Sequence, residues 1–237
     1  MIDNNYYSRE AVNARRKLRR KRILIRRIIR FVLSLILIVA GITATVKITT
    51  KYISDKKLKE LRQRQLNTAE SLVAPEWVEV DLIEKHGSAR TGKKLTGVSN
   101  IIIHYVGNPG TTAKNNRDYF NSDQSDVSSH FVVGLDGEII QCIPLDEKSA
   151  ASNWRNSDSI SIEVCHPDET GKFNDITYNS VIKLTAWLCN EFELESNDVI
   201  RHYDVTEKLC PLYYVENPEE WKKLKKDVAQ KMGENKP

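Results

Sequence analysis

The sequence predicts an α/β domain whose central mixed β-sheet is flanked by helices, preceded by a single transmembrane helix. Two observations predict the domain: short apolar runs alternate with turn signals beyond residue 76, and helical patterns are interleaved with those runs. Such interleaving is typical of a sheet that is covered by helices. A third observation predicts the membrane helix, because an uncharged apolar run directly follows a strongly basic segment.

The basic segment dominates the charge of the chain. The 237 residues carry a formal net charge of +4, yet ten Lys or Arg and no acid lie between residues 15 and 30. The rest of the chain is therefore mildly acidic. A local basic tail over residues 1–27 explains the overall charge, so no nucleic-acid partner is predicted.

The apolar run after this tail is long enough to cross a bilayer. Residues 31–46 are uncharged, and Ile28 and Ile29 extend the run toward the roughly 20 residues that a membrane span needs. We therefore predict a transmembrane helix over residues 28–48. Because basic residues favour the cytoplasmic side, the tail is expected in the cytoplasm and the rest of this single-pass cell-membrane protein outside.

A cleaved signal peptide is the alternative interpretation of the leader. The basic stretch is longer than a usual leader, and no Ala-x-Ala site follows the apolar run, which favours an uncleaved anchor. Residues 49–75 are polar and helix-prone, and we expect them to form a stalk. All four tryptophans lie beyond residue 76, so residues 76–237 are predicted to form a separate globular domain.

Five short runs predict the strands of this domain. Residues 100–105 (NIIIHY) read as a buried strand, and residues 159–165 (SISIEVC) as another. Residues 130–134 and 138–143 flank Asp136-Gly137, which is a strong hairpin signal. A short strand is expected over residues 199–202.

Three segments predict helices. The first covers residues 112–120, and the second runs from Asp175, as its cap, to about residue 192. Its buried face is predicted to contain residues at helical spacing, namely Val181, Leu184, Leu188 and Phe192. Asn217-Pro218 starts the third helix, and Gly233 is expected to end it.

Three residues have the chemistry of zinc ligands. His104 and His202 both end predicted strands, where α/β sheets place their sites, and Cys210 follows eight residues after the second histidine. Imidazole and thiolate are ligands that zinc prefers, and three protein ligands leave the fourth tetrahedral position open for catalysis. The other three cysteines show no disulfide framework and are expected to be small buried side chains.

Glu163 is the candidate general base. Strand alternation places it on one face with Ser161 and Cys165, while apolar residues occupy the other face. A carboxylate in the middle of such a strand needs a partner or a chemical role, because burying it alone is costly.

Three motifs together resemble one enzyme family. The runs Ile-Ile-Ile-His104-Tyr, Ser-Ile-Glu163-Val and His202-Tyr-Asp-Val-Thr-Glu-Lys208-Leu-Cys210-Pro resemble the zinc-dependent N-acetylmuramoyl-L-alanine amidases over roughly residues 76–230. The resemblance implies Zn²⁺ held by His104, His202 and Cys210, and peptidoglycan as partner. The implied reaction is hydrolysis, by metal-activated water, of the amide between N-acetylmuramic acid and L-alanine.

The resemblance also suggests roles for residues around the metal. Lys208 is expected to stabilise the oxyanion. One branch of the family uses as base a tyrosine just before the residue that matches His130, but this chain has Ser129 there, which favours Glu163. His130 is a candidate substrate-binding residue.

Asn153 and Trp154 are further candidates for substrate contact. Many family members carry a histidine in this stretch, and this chain has none, which leaves the substrate contacts there open. His86 and His166 lie in polar segments, and both are expected at the surface.

Two other functions compete with the amidase interpretation. One is a non-catalytic peptidoglycan-binding module of the same fold, which predicts a missing metal ligand. The other is a cysteine peptidase with Cys210 as nucleophile and His202 as base, which Pro211 and the following loop disfavour, because such a cysteine commonly opens a helix.

Overall fold

The computed structural model describes residues 4–234, with side chains from residue 9 onward. The chain divides into two compact units, Met1–Leu58 and Lys59–Pro237. Helix α1, Asn4–Ser71, begins in the first unit and ends in the second.

The first unit contains the apolar run. Among the described residues, one helical segment is long and apolar enough to cross a membrane. It is the part of α1 over Arg9–Ser71, and its most apolar window has a mean hydropathy of 2.3. None of that window is buried inside the protein. A signal sequence near the N-terminus meets the same criteria of length and composition, so the uncleaved anchor stays a prediction.

The second unit is a mixed α/β domain, as predicted. Its strands are β1 (Glu79–Val80), β2 (Asn100–Ile103), β3 (Phe131–Val133), β4 (Ile139–Gln141), β5 (Ser159–Val164) and β6 (Val199–Arg201). Its further helices are α2 (Ala113–Phe120), α3 (Asp175–Glu191), α4 (Tyr203–Thr206), α5 (Leu212–Glu216) and α6 (Pro218–Glu234). Short 3₁₀ helices occupy Asn153–Ser157 and Ser196–Asp198.

One six-stranded sheet organises the domain, in the order β1-β4-β3-β5-β2-β6. The β3–β4 hairpin is antiparallel, as the Asp136-Gly137 turn predicts, and the other neighbours are parallel. The mixed sheet is therefore confirmed. Parallel strands β5, β2 and β6 lie side by side, so residues after their carboxyl ends gather at one edge.

Helices cover both faces of this sheet. On one face, α3 and α6 pack over the larger apolar core, and the predicted buried face of α3 is confirmed, because Val181, Leu184, Leu188 and Phe192 are fully buried. On the other face, Ala113 and Phe120 of α2 pack against a smaller core. Strands buried on both faces explain the continuous apolar runs in the sequence.

Helix ends differ from the predictions by single residues. Asn174, not Asp175, caps α3, because its side-chain oxygen accepts a hydrogen bond from the Thr177 amide at 2.9 Å. The predicted stop at Gly233 is also wrong, since α6 continues through Glu234. Helix α2 begins one residue after the predicted Thr112, which is instead its N-cap and forms a reciprocal capping box with Asn115.

The end of α1 packs within the second unit. The Gln65 side chain is buried, and it donates to the Phe192 carbonyl at 2.9 Å and accepts from the Val98 amide at 3.3 Å. Arg64 forms a two-bond ion pair with Glu193. The predicted stalk over residues 49–75 therefore includes a part that packs within the second unit, while the domain boundaries themselves stay a prediction.

Candidate metal centre

Two neighbouring strands bring the candidate histidines together. His104 directly follows β2, His202 directly follows β6, and these two strands pair in parallel. Their ring centroids lie 4.6 Å apart, and the His202 amide donates to the Ile103 carbonyl at 3.2 Å. The third residue, Cys210, arrives through the turn that follows α4.

The three candidate ligands form one cluster. One nitrogen from each of His104 and His202 and the Cys210 sulfur all lie within 4.8 Å of one another, and all three residues are buried. His104 Nδ1 lies 3.8 Å from the Cys210 sulfur. The 3.8 Å separation is close to the spacing of a nitrogen and a sulfur that share one tetrahedral metal ion.

Unpartnered nitrogen atoms indicate that this cluster fits a metal ion. Both ring nitrogens of His202 are buried and have no hydrogen-bond partner among the described residues. Buried polar atoms are nearly always paired, so such an orphan requires an explanation. A transition metal would use one of these lone pairs and the nearby thiolate, and the donor set is the kind that zinc prefers.

The two histidines have the charge state that metal binding needs. Burial lowers the pKa of His104 well below its usual value, and the neighbouring His202 and Lys208 add to the effect. Burial, followed by Lys208, also lowers the pKa of His202. Both imidazoles are therefore neutral at neutral pH and keep a lone pair for a ligand bond.

Cys210 does not have the properties of a nucleophile. Burial raises the pKa of its thiol to about 12, and the nearby Glu163 carboxylate acts in the same direction. A thiolate is the reactive form, so this thiol is poorly suited to attack without help. A metal ion displaces the proton when it binds sulfur, which is the more direct use of such a residue.

Glu163 lies beside the cluster. Its carboxylate oxygen Oε1 is 3.8 Å from His104 Nδ1, its side chain is 18% exposed, and its Oε2 is buried without a partner. Burial raises the pKa of this carboxyl to about 8, against the opposing effect of Lys208. The carboxyl can therefore hold a proton more readily than a surface glutamate.

Lys208 lies in the same pocket as this carboxyl. The pocket is lined by Lys208, Glu163 and all three candidate ligands. The lysine is exposed, and it precedes the buried Cys210 by two residues. The preceding Glu207 has a left-handed backbone with φ of 62°, which reverses the chain between α4 and the cysteine.

Two clefts meet at this point. Both are lined by His202 and Lys208. The first is the pocket that contains Glu163; it is here called the aromatic cleft, because it extends along aromatic side chains that include Tyr105 and Tyr119. The second, here called the polar cleft for its side chains Asp126, Asn153, Asn156 and Thr206, is also lined by Val127, Ala150 and Ala151. A substrate whose reacting bond lies at the cluster could therefore extend in two chemically different directions.

The structure does not bring His130 to either cleft. It is fully buried, Nδ1 accepts a hydrogen bond from the Ser161 amide at 3.0 Å, and Nε2 donates to the Glu147 carbonyl at 2.9 Å. Both ring nitrogens are satisfied, so His130 supports β5 beneath the site rather than lining it. Burial lowers its pKa to about 4.

Asn153 and Trp154 lie on the surface next to the site. Asn153 lines the polar cleft, and the Trp154 side chain is 69% exposed, so it is not a core tryptophan. The guanidinium of Arg155 lies 5.1 Å from the centroid of that ring. The structure thus keeps these two residues available for contact with a ligand.

The expectation that His166 lies at the surface is wrong. It is 1% exposed, and its ring stacks on Tyr105 at 5.0 Å, while His86 is half-buried. The polar loop sequence gave no sign of this, because the contact depends on packing with a distant strand end.

All four cysteines are buried and free, which confirms the prediction for Cys142, Cys165 and Cys189.

Sequence reasoning missed residues that complete the surroundings of the cluster. Ser152 is fully buried, and its hydroxyl lies 3.0 Å from His104 Nε2. Tyr105 and Asn116 line the pocket. Tyr105 follows a candidate ligand directly, which was a usable signal, whereas nothing in a run of small residues singles out Ser152.

Fold and cluster together define a class: an α/β domain with a His₂Cys candidate metal centre at the carboxyl edge of its sheet. Comparison with known proteins gives the family. Residues 94–212 match the family model described as N-acetylmuramoyl-L-alanine amidase. The chain belongs to this family, as its motifs predict.

Two curated relatives come from Bacillus. The chain is 32% identical over 161 residues to the N-acetylmuramoyl-L-alanine amidase CwlL of Bacillus licheniformis, which is 61% of this chain and 44% of that protein. It is 35% identical over 164 residues to the amidase BlyA of Bacillus subtilis strain 168, covering 60% and 44%. The match thus spans less than half the length of these relatives.

Solved structures support the same fold. The catalytic domain of XlyA is similar over 64% of this chain and 98% of that one, with 25% identity and a TM-score of 0.56. A mutant endolysin from Bacillus subtilis shares the fold over 64% of this chain and 97% of that one, with 24% identity and a TM-score of 0.57.

Proposed function

We propose that the chain hydrolyses the amide bond between N-acetylmuramic acid and L-alanine in peptidoglycan, with zinc held by His104, His202 and Cys210. The observation that carries this proposal is the buried His₂Cys cluster with a carboxylate 3.8 Å away. Family membership supports the bond that is cleaved, and the orphaned nitrogens of His202 support the metal.

The metal and two side chains divide the chemistry of amide hydrolysis. Zinc, when bound, lowers the pKa of water and polarises the amide carbonyl. In its ionised form, which the positive charge of a bound metal would favour, Glu163 takes the proton from the attacking water. It then returns the proton to the amide nitrogen, which leaves only when protonated. Its unpartnered oxygen in the pocket suits this role.

Lys208 stabilises the negative charge that develops on the carbonyl oxygen. Its exposed side chain lines the same pocket as Glu163. A fixed positive charge at the developing oxyanion is typically worth a few kcal/mol of barrier lowering.

Replacing the ligands one at a time tests the metal proposal. We expect His104→Ala, His202→Ala and Cys210→Ala each to remove most of the zinc from the full chain purified in detergent. The rate at which these variants hydrolyse a muramoyl-peptide, measured as the appearance of a free amino terminus on L-alanine, should fall together with the zinc content. Full zinc content in all three variants would contradict the assignment.

We propose that the polar cleft takes the sugar and the aromatic cleft takes the stem peptide. Amide and hydroxyl groups of Asn153, Asn156 and Thr206 can bond sugar hydroxyls, and the exposed Trp154 offers a ring face. We expect Asn153→Ala and Trp154→Ala to raise KM more than they lower kcat. A loss in kcat alone would contradict this placement.

We also propose that the anchor is uncleaved and spans the cell membrane once, with residues 1–27 in the cytoplasm and the amidase domain outside. The exposed apolar window and the ten basic residues before it support this orientation. A C-terminal tag should be labelled on intact protoplasts, and an N-terminal tag only after permeabilisation. Labelling of the N-terminal tag alone would reverse the orientation.

A further inference from the structure

We propose that Ser152 is a positioning residue for the metal centre. Its hydroxyl accepts a hydrogen bond from Nε2–H of His104 and holds the ring so that Nδ1 is the nitrogen that binds the metal. This inference rests on the proposed zinc site, and it adds which atom of His104 is the ligand and what holds the ring in place.

The geometry gives the two sides of the His104 ring different partners. Ser152 Oγ lies 3.0 Å from Nε2, whereas Nδ1 lies 3.8 Å from both the Cys210 sulfur and a Glu163 oxygen. A neutral imidazole has one donor and one acceptor nitrogen. With the proton on Nε2, the lone pair of Nδ1 points to the cluster.

The serine is itself held in place. Its amide and the amide of Ala151 both donate to the Asn156 side-chain oxygen, at 2.6 and 3.1 Å, and its carbonyl accepts from the Arg155 amide at 3.0 Å. The next residue, Asn153, has a left-handed backbone with φ of 52°. The backbone around the hydroxyl is therefore fixed by the start of a 3₁₀ helix rather than by a flexible loop.

The hydroxyl also has no competing task. Within the described part of the chain, His104 Nε2 is the sole side-chain or backbone partner of Ser152 Oγ, and the serine is fully buried. Groups that orient a metal-binding histidine typically change metal affinity by about 10- to 100-fold when they are removed. We expect an effect of that size here.

Zinc affinity of the full chain tests this role, measured by competition with a chromophoric chelator. Ser152→Ala should weaken zinc binding about 10- to 100-fold, and Ser152→Thr, which keeps the hydroxyl, should recover most of it. The control is Ser180→Ala. Ser180 lies on α3, and its hydroxyl donates to the Gly137 carbonyl at 2.8 Å rather than to a residue of the cluster. That variant should bind zinc as the unmodified chain does.

The protonation of the His104 ring gives an independent readout. Nitrogen NMR of the zinc-loaded chain should show a proton on Nε2 and none on Nδ1. A proton on Nδ1 would overturn the proposal even if Ser152→Ala failed to fold. An unchanged zinc affinity in folded Ser152→Ala protein would also overturn the proposal. If the unmodified chain bound no zinc, the proposed zinc site would be overturned as well.

Discussion

At the scale of single residues, the candidate metal centre is marked by buried side-chain nitrogen and oxygen atoms that have no hydrogen-bond partner. Both nitrogens of His202 and one oxygen of Glu163 are buried and unpaired among the described residues, while every ring nitrogen of His130 is satisfied. That contrast distinguishes His202 and Glu163, beside the candidate metal centre, from His130, which supports the fold. The sequence predicted the ligand set and Glu163 by chemical type, yet it could not tell that His130 is buried.

The role of Glu163 is tested by Glu163→Gln, which keeps the shape of the side chain and removes its ability to take a proton. We expect kcat to fall about 10²- to 10⁴-fold, the usual range for losing a general base. Zinc content should be unchanged, because the glutamate is not a ligand in this proposal. Glu191→Gln, at the exposed end of α3, is the control and should retain activity. Unchanged kcat in Glu163→Gln would remove Glu163 from the mechanism.

His130 should make stability depend on pH. Its pKa is about 4 in the folded chain, against an ordinary value of 6.5, because burial disfavours the charged ring. Between pH 6.5 and 4 the unfolded chain therefore binds more protons than the folded chain. As a result, the free energy of unfolding is highest above pH 6.5 and decreases as the pH falls toward 4. At roughly 1.4 kcal/mol per pKa unit, the loss is about 3 kcal/mol.

Urea unfolding in chelator-containing buffer at pH 7 and pH 4.5 measures this effect. His130→Gln should be less stable at pH 7, and its free energy of unfolding should fall less between the two pH values than that of the unmodified chain. Equal pH dependence in both proteins would show that His130 does not titrate as described.

At the scale of elements, local sequence signals were largely sufficient. The Asp136-Gly137 turn predicted the hairpin, and the spacing of apolar residues in α3 predicted its buried face. Contacts between distant segments were not readable in the same way. The buried Ser152–His104 contact joins residues 48 positions apart, and the packing of Gln65 against Phe192 joins residues 127 apart.

Gln65 should stabilise the amidase unit although it lies in the helix that carries the predicted anchor. Gln65→Ala removes two hydrogen bonds and leaves the Val98 amide and Phe192 carbonyl without these partners, which we expect to cost about 1–3 kcal/mol. Gln63→Ala is the matched control, because that exposed glutamine bonds only Asn67 one helical turn on. Equal urea midpoints for the two variants would contradict the packing of the end of α1 within the second unit.

At the scale of the whole molecule, charge and apolarity are segregated along the chain. Ten basic residues precede the apolar window, and the candidate metal centre lies in the mildly acidic unit beyond it. The sequence predicted the fold class and the family, since both depend on regular patterns and local motifs. It could not predict that the compact unit would begin at Lys59, because only the folded structure shows which part of α1 is buried.

The central claim is that a zinc ion at His104, His202 and Cys210 is needed to cleave the muramoyl-L-alanine amide. The most direct measurement is hydrolysis of a muramoyl-peptide by the full chain before chelation, after chelation and after zinc is restored. We predict about one zinc per chain, loss of activity on chelation, recovery with zinc, and a new amino terminus on L-alanine. Metal-free protein that kept full activity, or cleavage at a different bond, would contradict it.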